Sequence, residues 1–143
     1  MEELRTPFPR GAILIVDDSA KWRTRVCEIL EDQPELQIVA QACDGFQAVC
    51  RAAQLYPDLV LLDIGMPVMN GLDAANQIKR VSPRSRIVFL TQENDTNIRD
   101  AALAVGAHGY VLKINAESKL LSTIAAVLRN GHRTLQAATP SPV

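Results

Sequence analysis

Four consecutive apolar residues, Leu59 to Leu62, run straight into Asp63 and then into a stretch of turn residues, Gly65, Pro67, Asn70 and Gly71. The run is too short for a helix and too uniform for a half-exposed strand, which predicts a strand covered on both faces. A new apolar periodicity begins at Leu72, so the strand opens through a loop into a helix. Strands buried on both faces belong to parallel sheets flanked by helices, and open sheets of that kind hold ligands at the carboxyl ends of their strands. Asp63 sits where a carboxylate is best placed for chemistry; the plainer reading is an Asp that caps the following turn.

The pattern recurs along the chain. Ala12 to Val16 is a short apolar run ending in Asp17 and Asp18, Ile87 to Leu90 ends in Thr91, and Tyr110 to Leu112 ends in Lys113. Leu36 to Ala42 alternates imperfectly, as a strand at the sheet edge does. Helical periodicities lie between these runs. Ser19 or Asp18 caps the first, whose Trp22, Val26, Ile29 and Leu30 share one face and which stops near Asp32 to Pro34. Phe46, Val49, Cys50 and Ala53 form the apolar stripe of the second, which runs to Tyr56. Leu72, Ala75 and Ile78 begin a third, closed by Ser82 and Pro83; Ile98, Ala101, Ala102 and Val105 form a short fourth stopped by Gly106, with Leu103 off its stripe. The last spans about Ala116 to Leu128, with Asn130-Gly131 as its stop. Strands alternating with helices predict an α/β fold with right-handed crossovers.

With 143 residues, 48% of them hydrophobic, the chain suits one domain with one core. We assign residues 12–131 to it, with a loose arm at 1–11 and a tail or linker stub at 132–143. A net charge of -1 leaves no electrostatic footprint for nucleic acid. No apolar run approaches the roughly 20 residues of a membrane span, and no apolar signal core opens the chain, so a cytoplasmic location is expected. Cys27, Cys43 and Cys50 lack C-x-x-C spacing and fall in apolar or helical patterns, as reduced core thiols would. His108 and His132 are isolated and expected to face solvent.

The polar residues at the strand ends select the strand order. Neighbouring strands are about 4.8 Å apart, so in the order 3-2-1-4-5 the third and fifth would be separated by roughly 19 Å, beyond the reach of Lys113 to Asp63. In the flavodoxin-like (βα)5 order, 2-1-3-4-5, the separation is about 10 Å, which a lysine spans in large part. This doubly wound order puts the switch point between strands one and three, where Asp17, Asp18 and Asp63 meet. One pair of carboxylates at 4 Å costs about 4 kcal/mol at an effective dielectric of 20, so cations must offset the cluster. Lys113 supplies one charge, and an all-oxygen site with room for water suits Mg²⁺; Mn²⁺ would also fit, and a salt-bridge cluster without metal is the plainer alternative. A carboxylate nucleophile beside a divalent ion, a lysine and a hydroxyl suits phosphoryl transfer through an aspartyl phosphate.

These residues resemble the receiver domain of two-component response regulators: the pair Asp17-Asp18, Asp63 in DIGMPVMNG, Thr91 after the fourth strand, and GYVLK ending at Lys113. The match covers about Ile13 to Leu128. The resemblance implies a phosphoacceptor domain that takes a phosphoryl group from a sensor histidine kinase or phosphotransfer protein onto Asp63. It implies a Mg²⁺ environment of Asp17, Asp18, Asp63 and the Gly65 backbone carbonyl, phosphoryl stabilisation by Thr91 and Lys113, and a switch in which Thr91 and Tyr110 alter the face formed by the fourth helix, fifth strand and fifth helix. Gly65 and Glu93 flank the site where the family tunes dephosphorylation. Phosphorylation-dependent homodimerisation is a further expectation.

Two departures stand out. Ile114 replaces the proline that most members place after the lysine, a feature shared by the subfamily with LuxR-like output domains, and Gln92 is larger than the small residue usual after the threonine. The residues after the last helix are too few for a DNA-binding domain, which leaves a single-domain regulator or a piece of a longer one. A competing enzyme reading, a phosphatase of the haloacid dehalogenase type, needs acids two apart after the first strand, whereas Asp17 and Asp18 are adjacent. A binding module with a vestigial site is the third alternative.

Overall fold

A computed structural model describes residues 8–130. The tail expected at 132–143 with His132, the Gly131 stop signal, and residues 1–7 of the expected arm lie outside the described residues. Five strands, β1 (Gly11–Val16), β2 (Leu36–Ala42), β3 (Leu59–Leu62), β4 (Arg86–Thr91) and β5 (Gly109–Leu112), alternate with α1 (Ala20–Leu30), α2 (Gly45–Leu55), α3 (Gly71–Val81), α4 (Thr96–Ala104) and α5 (Ala116–Arg129). The strands pair in parallel in the order β2-β1-β3-β4-β5, the flavodoxin-like arrangement anticipated from the reach of Lys113. No helix is long and apolar enough to cross a membrane among the described residues.

Because strand side chains alternate between faces, each strand feeds two apolar layers. Ile13, Ile15, Leu59, Leu61, Val88 and Leu90 pack with α1 and α5, whereas Leu14, Val16, Val60, Leu62, Ile87 and Phe89 pack with α2, α3 and α4. All four residues of β3 are buried, as the uninterrupted run predicted. Phe89 is fully buried, which stabilises the fold by about 1.5–3 kcal/mol relative to an exposed ring. Side chains at the helix starts fix where each crossover turns: Ser19, Asp44, Asn70 and Asp95 accept hydrogen bonds from Trp22, Gln47, Asp73 and Asn97 backbone N–H groups.

Three expectations are corrected. Helix α2 buries Gly45, Ala48 and Ala52, not the stripe of Phe46, Cys50 and Ala53; Phe46 is 57% exposed and only Val49 is partly covered. Small residues win that face because they let the helix lie close against the sheet and α3, where an added Cβ at Gly45 would already press on Met69. The cysteines are free but are not core thiols: Cys43 and Cys50 are exposed and Cys27 is partly so. His108 is half-buried, and its Nδ1 accepts from the Ile87 N–H at 3.1 Å while its own backbone N–H donates to the Ile87 carbonyl at 2.7 Å.

Burial, then the positive charges of Arg86 and Lys79, hold the His108 imidazole below its usual value of 6.5. The folded chain therefore binds this proton less readily than the unfolded one, so the stability His108 contributes is present above 6.5 and is lost as pH falls below it. We expect the urea midpoint to drop between about pH 7 and 5, and the drop to shrink in His108→Asn, whose amide oxygen can still accept from Ile87. Identical profiles for the two proteins would show that His108 does not carry the effect.

Candidate functional site

Parallel pairing brings the carboxyl ends of β1, β3, β4 and β5 to one edge. Val16 pairs with Leu62, so Asp17 and Asp63 follow side by side; Thr91 pairs with Leu112, which puts Lys113 one residue beyond it. The Asp17 and Asp63 backbone N–H groups extend the ladders, donating to Ala42 and Val16 carbonyls. All the acids, the hydroxyl and the ammonium predicted from sequence are thus on the same rim.

Carboxylate oxygens of Asp17, Asp18 and Asp63 all lie within 4.8 Å of one another, with Asp17 and Asp63 buried and Asp18 exposed. Lys113, only 8% exposed, places its Nζ 2.8 Å from Asp17 Oδ2 and 3.4 Å from Asp63 Oδ2. Its other neighbour is Trp22, whose ring centroid is 5.0 Å from the same nitrogen. Asp17 is held on every side: Oδ1 accepts from the Ser19 N–H at 2.9 Å, and its carbonyl accepts from Arg23 at 2.8 Å. Burial pushes the Asp17 carboxyl above its usual value of 3.8, the Lys113 and Ser19 hydrogen bonds pull it back, and the Asp63 charge pushes it up again; the net direction is upward. A carboxyl that holds its proton more tightly when folded costs stability as pH rises past its unfolded value.

Three ionised acids against the Lys113 ammonium, with the Arg23 guanidinium on the Asp17 carbonyl, still leave a surplus of negative charge. Repulsion at 4.8 Å is about 3.5 kcal/mol per pair at an effective dielectric of 20. An all-oxygen set with surplus negative charge and one exposed member fits a hard divalent cation with retained waters.

Thr91 is fully buried, and its hydroxyl oxygen accepts from the Glu93 N–H at 3.3 Å, leaving its own hydrogen free to donate. The Glu93 carbonyl accepts from the Tyr110 hydroxyl at 2.7 Å. One backbone unit therefore joins Thr91 to Tyr110, a connection that side-chain pattern does not reveal. Burial pushes the Tyr110 phenol up from its usual 10.0, and Arg99 of α4 lies 5.0 Å from its ring centroid. A Cβ added at Gly65 would meet Glu93 Oε2 at 3.3 Å, so these two residues do adjoin across the mouth of the site. After Lys113 the chain makes one 3-10 turn, Lys113–Asn115, with Ile114 88% exposed and no cis peptide bond among the described residues.

Residues 13–125 match the family model for the response regulator receiver domain. A protein-glutamate methylesterase/protein-glutamine glutaminase of Idiomarina loihiensis is 36% identical over 144 residues, 92% of this chain and 37% of that protein. The nitrate/nitrite response regulator NarL of Escherichia coli K12 is 34% identical over 130 residues, 91% of this chain and 60% of that protein. The chain thus spans less than two thirds of either relative. The crystal structure of a LuxR-family two-component response regulator from Aurantimonas sp. SI85-9A1 superposes with a TM-score of 0.80 at 28% identity, covering 85% of this chain and 86% of that one.

Gly71 governs the approach of α3 to this rim. Its N–H donates to the Ile64 carbonyl at 2.8 Å, and a side chain there would collide with the Asp63 carbonyl and the Ile64 backbone. Gly71→Ala should lower the unfolding free energy by about 1–3 kcal/mol, read from urea midpoints, whereas Gly65→Ala, facing only the end of a glutamate side chain, should cost clearly less. Equal losses would mean that the Asp63 loop tolerates displacement.

Proposed function

We propose, for a chain that belongs to the response regulator receiver domain family, that Asp63 is the phosphoacceptor, loaded by a sensor histidine kinase or phosphotransfer protein. The observation that carries the assignment is the convergence on Asp63 of an ammonium at 3.4 Å and two further carboxylates within 4.8 Å. A family member with that pocket intact is a signalling module whose chemistry is its own modification; we assign it no external substrate and a cytoplasmic location beside its kinase.

In the transfer, an Asp63 carboxylate oxygen attacks phosphorus, forming an O–P bond as the P–N bond to the donor imidazole breaks; the electron pair leaves with the imidazole. No general base is needed, because the nucleophile is already a carboxylate. Lys113 offsets charge on the phosphoryl oxygens, and the free Thr91 hydrogen donates to one of them. Asp17, Asp18, Asp63 and the Gly65 carbonyl would hold Mg²⁺, with Mn²⁺ suited to the same oxygens, and the bound ion would supply further positive charge to the phosphoryl group.

The same contacts supply a switch. If Thr91 turns its hydroxyl to the phosphoryl group, the Glu93 N–H loses its acceptor, and the segment that anchors the Tyr110 hydroxyl is freed to shift. That bias reaches the surface of α4 and β5, where Leu103 is 58% exposed. We also propose phosphorylation-dependent pairing of two copies. Glu93 adjoins Gly65, and we assign this pair the tuning of phosphoryl loss.

Incubation with Mg²⁺ and a phosphorylated donor, followed by intact mass measurement, should show one phosphoryl adduct that hydroxylamine removes and Asp63→Asn lacks. Light scattering on the same sample should show the mass doubling. An adduct that survives Asp63→Asn, or phosphomonoester turnover abolished by Asp17→Asn alone, would replace this reading with the phosphatase one; an unchanged mass would remove the dimer.

A further inference from the structure

Trp22 lies on the first turn of α1, where its backbone N–H donates to the capping Ser19 hydroxyl at 3.2 Å. Its indole is partly buried against the layer formed by α1, α5 and the sheet, so the ring is fixed at its root by the cap and along its body by packing. The face of that ring meets the Lys113 ammonium, 5.0 Å from the centroid, inside the roughly 6 Å range of a cation–π contact. Tryptophan presents the most favourable face of any side chain to a cation, and the contact strengthens when, as here, the ammonium is nearly shielded from water.

The remaining partners of Lys113 explain what such a face contributes. Its shorter contact, 2.8 Å, is to Asp17; the contact to Asp63 is 3.4 Å. Asp17 also belongs to the carboxylate triad suited to a divalent cation. A carboxylate shared between an ammonium and such a cation serves each less well than it would serve either alone. The indole face is not contested in this way, because hard divalent ions take oxygen ligands. A lysine stem is long and flexible, and an ammonium loosened from Asp17 would otherwise be free to leave the pocket.

We propose that Trp22 is a positioning residue for Lys113: its indole face keeps the ammonium beside Asp63 when Asp17 is engaged elsewhere. This rests on the phosphoacceptor role of Asp63 and adds to it the residue that aims the charge. Trp22 touches no reacting atom and acts only through Lys113.

The test uses the full chain, saturating Mg²⁺ and phosphoramidate as donor, so that no kinase surface is involved. W22L, which keeps apolar bulk but has no ring, should lose about tenfold in the rate of Asp63 phosphorylation, equivalent to about 1.4 kcal/mol. W22F should recover most of that rate, with both variants melting near the wild type. In a K113M background, W22L should bring no further loss, since the two residues act as one unit. Trp22 is the sole tryptophan, so its emission reads the contact directly, and K113M should shift that emission before any donor is added. A wild-type rate in W22L, an equal loss in the K113M background, or emission unchanged by K113M would each overturn the proposal. Failure of the wild type to accept a phosphoryl group would instead remove the phosphoacceptor reading, and the emission comparison would still decide whether the ammonium sits on the ring.

Discussion

Crowding of negative charge at one edge of the sheet, held by the buried Lys113 ammonium, is the constraint from which the rest of this molecule follows. Asp17, Asp18 and Asp63 come together because β1 and β3 are neighbours in register, and Lys113 reaches them because only β4 separates β3 from β5. The arrangement is unfavourable by itself. Burial raises the Asp17 carboxyl against its own ionisation, and Lys113 offsets only part of the repulsion. A fold optimised for stability alone would place apolar or uncharged residues here. The excess negative charge suits a hard divalent cation.

The two apolar layers make that frustration affordable. Strands buried on both faces give the rim its base, and backbone contacts at the rim, from Asp17 to Ala42, from Asp63 to Val16 and from Gly71 to Ile64, hold the segments that carry Asp17 and Asp63. In the loop before α4, Glu93 donates to Thr91 and accepts from Tyr110, and Asp95 accepts from Asn97 and Arg99. The hydrogen bonds of Glu93 join the Thr91 end of β4 to Tyr110 of β5 through one backbone unit.

Much of this was readable in the chain itself. Leu59 to Leu62 announce a doubly covered strand, the residue types at the strand ends mark the rim on which Asp17, Asp18, Asp63, Thr91 and Lys113 converge, and the reach of Lys113 selects the order β2-β1-β3-β4-β5 that the structure has. What escaped did so for physical reasons. Helix α2 was read from its largest apolar residues, but close packing against the sheet and α3 rewards small ones, so Ala48 and Ala52 are buried and Phe46 is not. His108 looked isolated because its partner is the backbone of Ile87, and the link from Thr91 to Tyr110 runs through the backbone of Glu93; main-chain groups are the same at every position and leave no compositional trace. Trp22 read as packing, which it is, but its contact with Lys113 joins residues distant in sequence and depends on the docking of α1 beside the end of β5.

The central claim is that these three carboxylates form one cation-responsive pocket. Thermal unfolding across a Mg²⁺ titration tests it most directly, because a ligand that binds only the folded chain raises the midpoint in proportion to the logarithm of its concentration above Kd. The account predicts a midpoint flat at low Mg²⁺ and rising with the logarithm of its concentration above Kd for the wild type, the rise reduced or lost in Asp17→Asn, Asp18→Asn and Asp63→Asn alike. A midpoint indifferent to Mg²⁺, or a rise that persists undiminished when Asp63 is replaced, would contradict it.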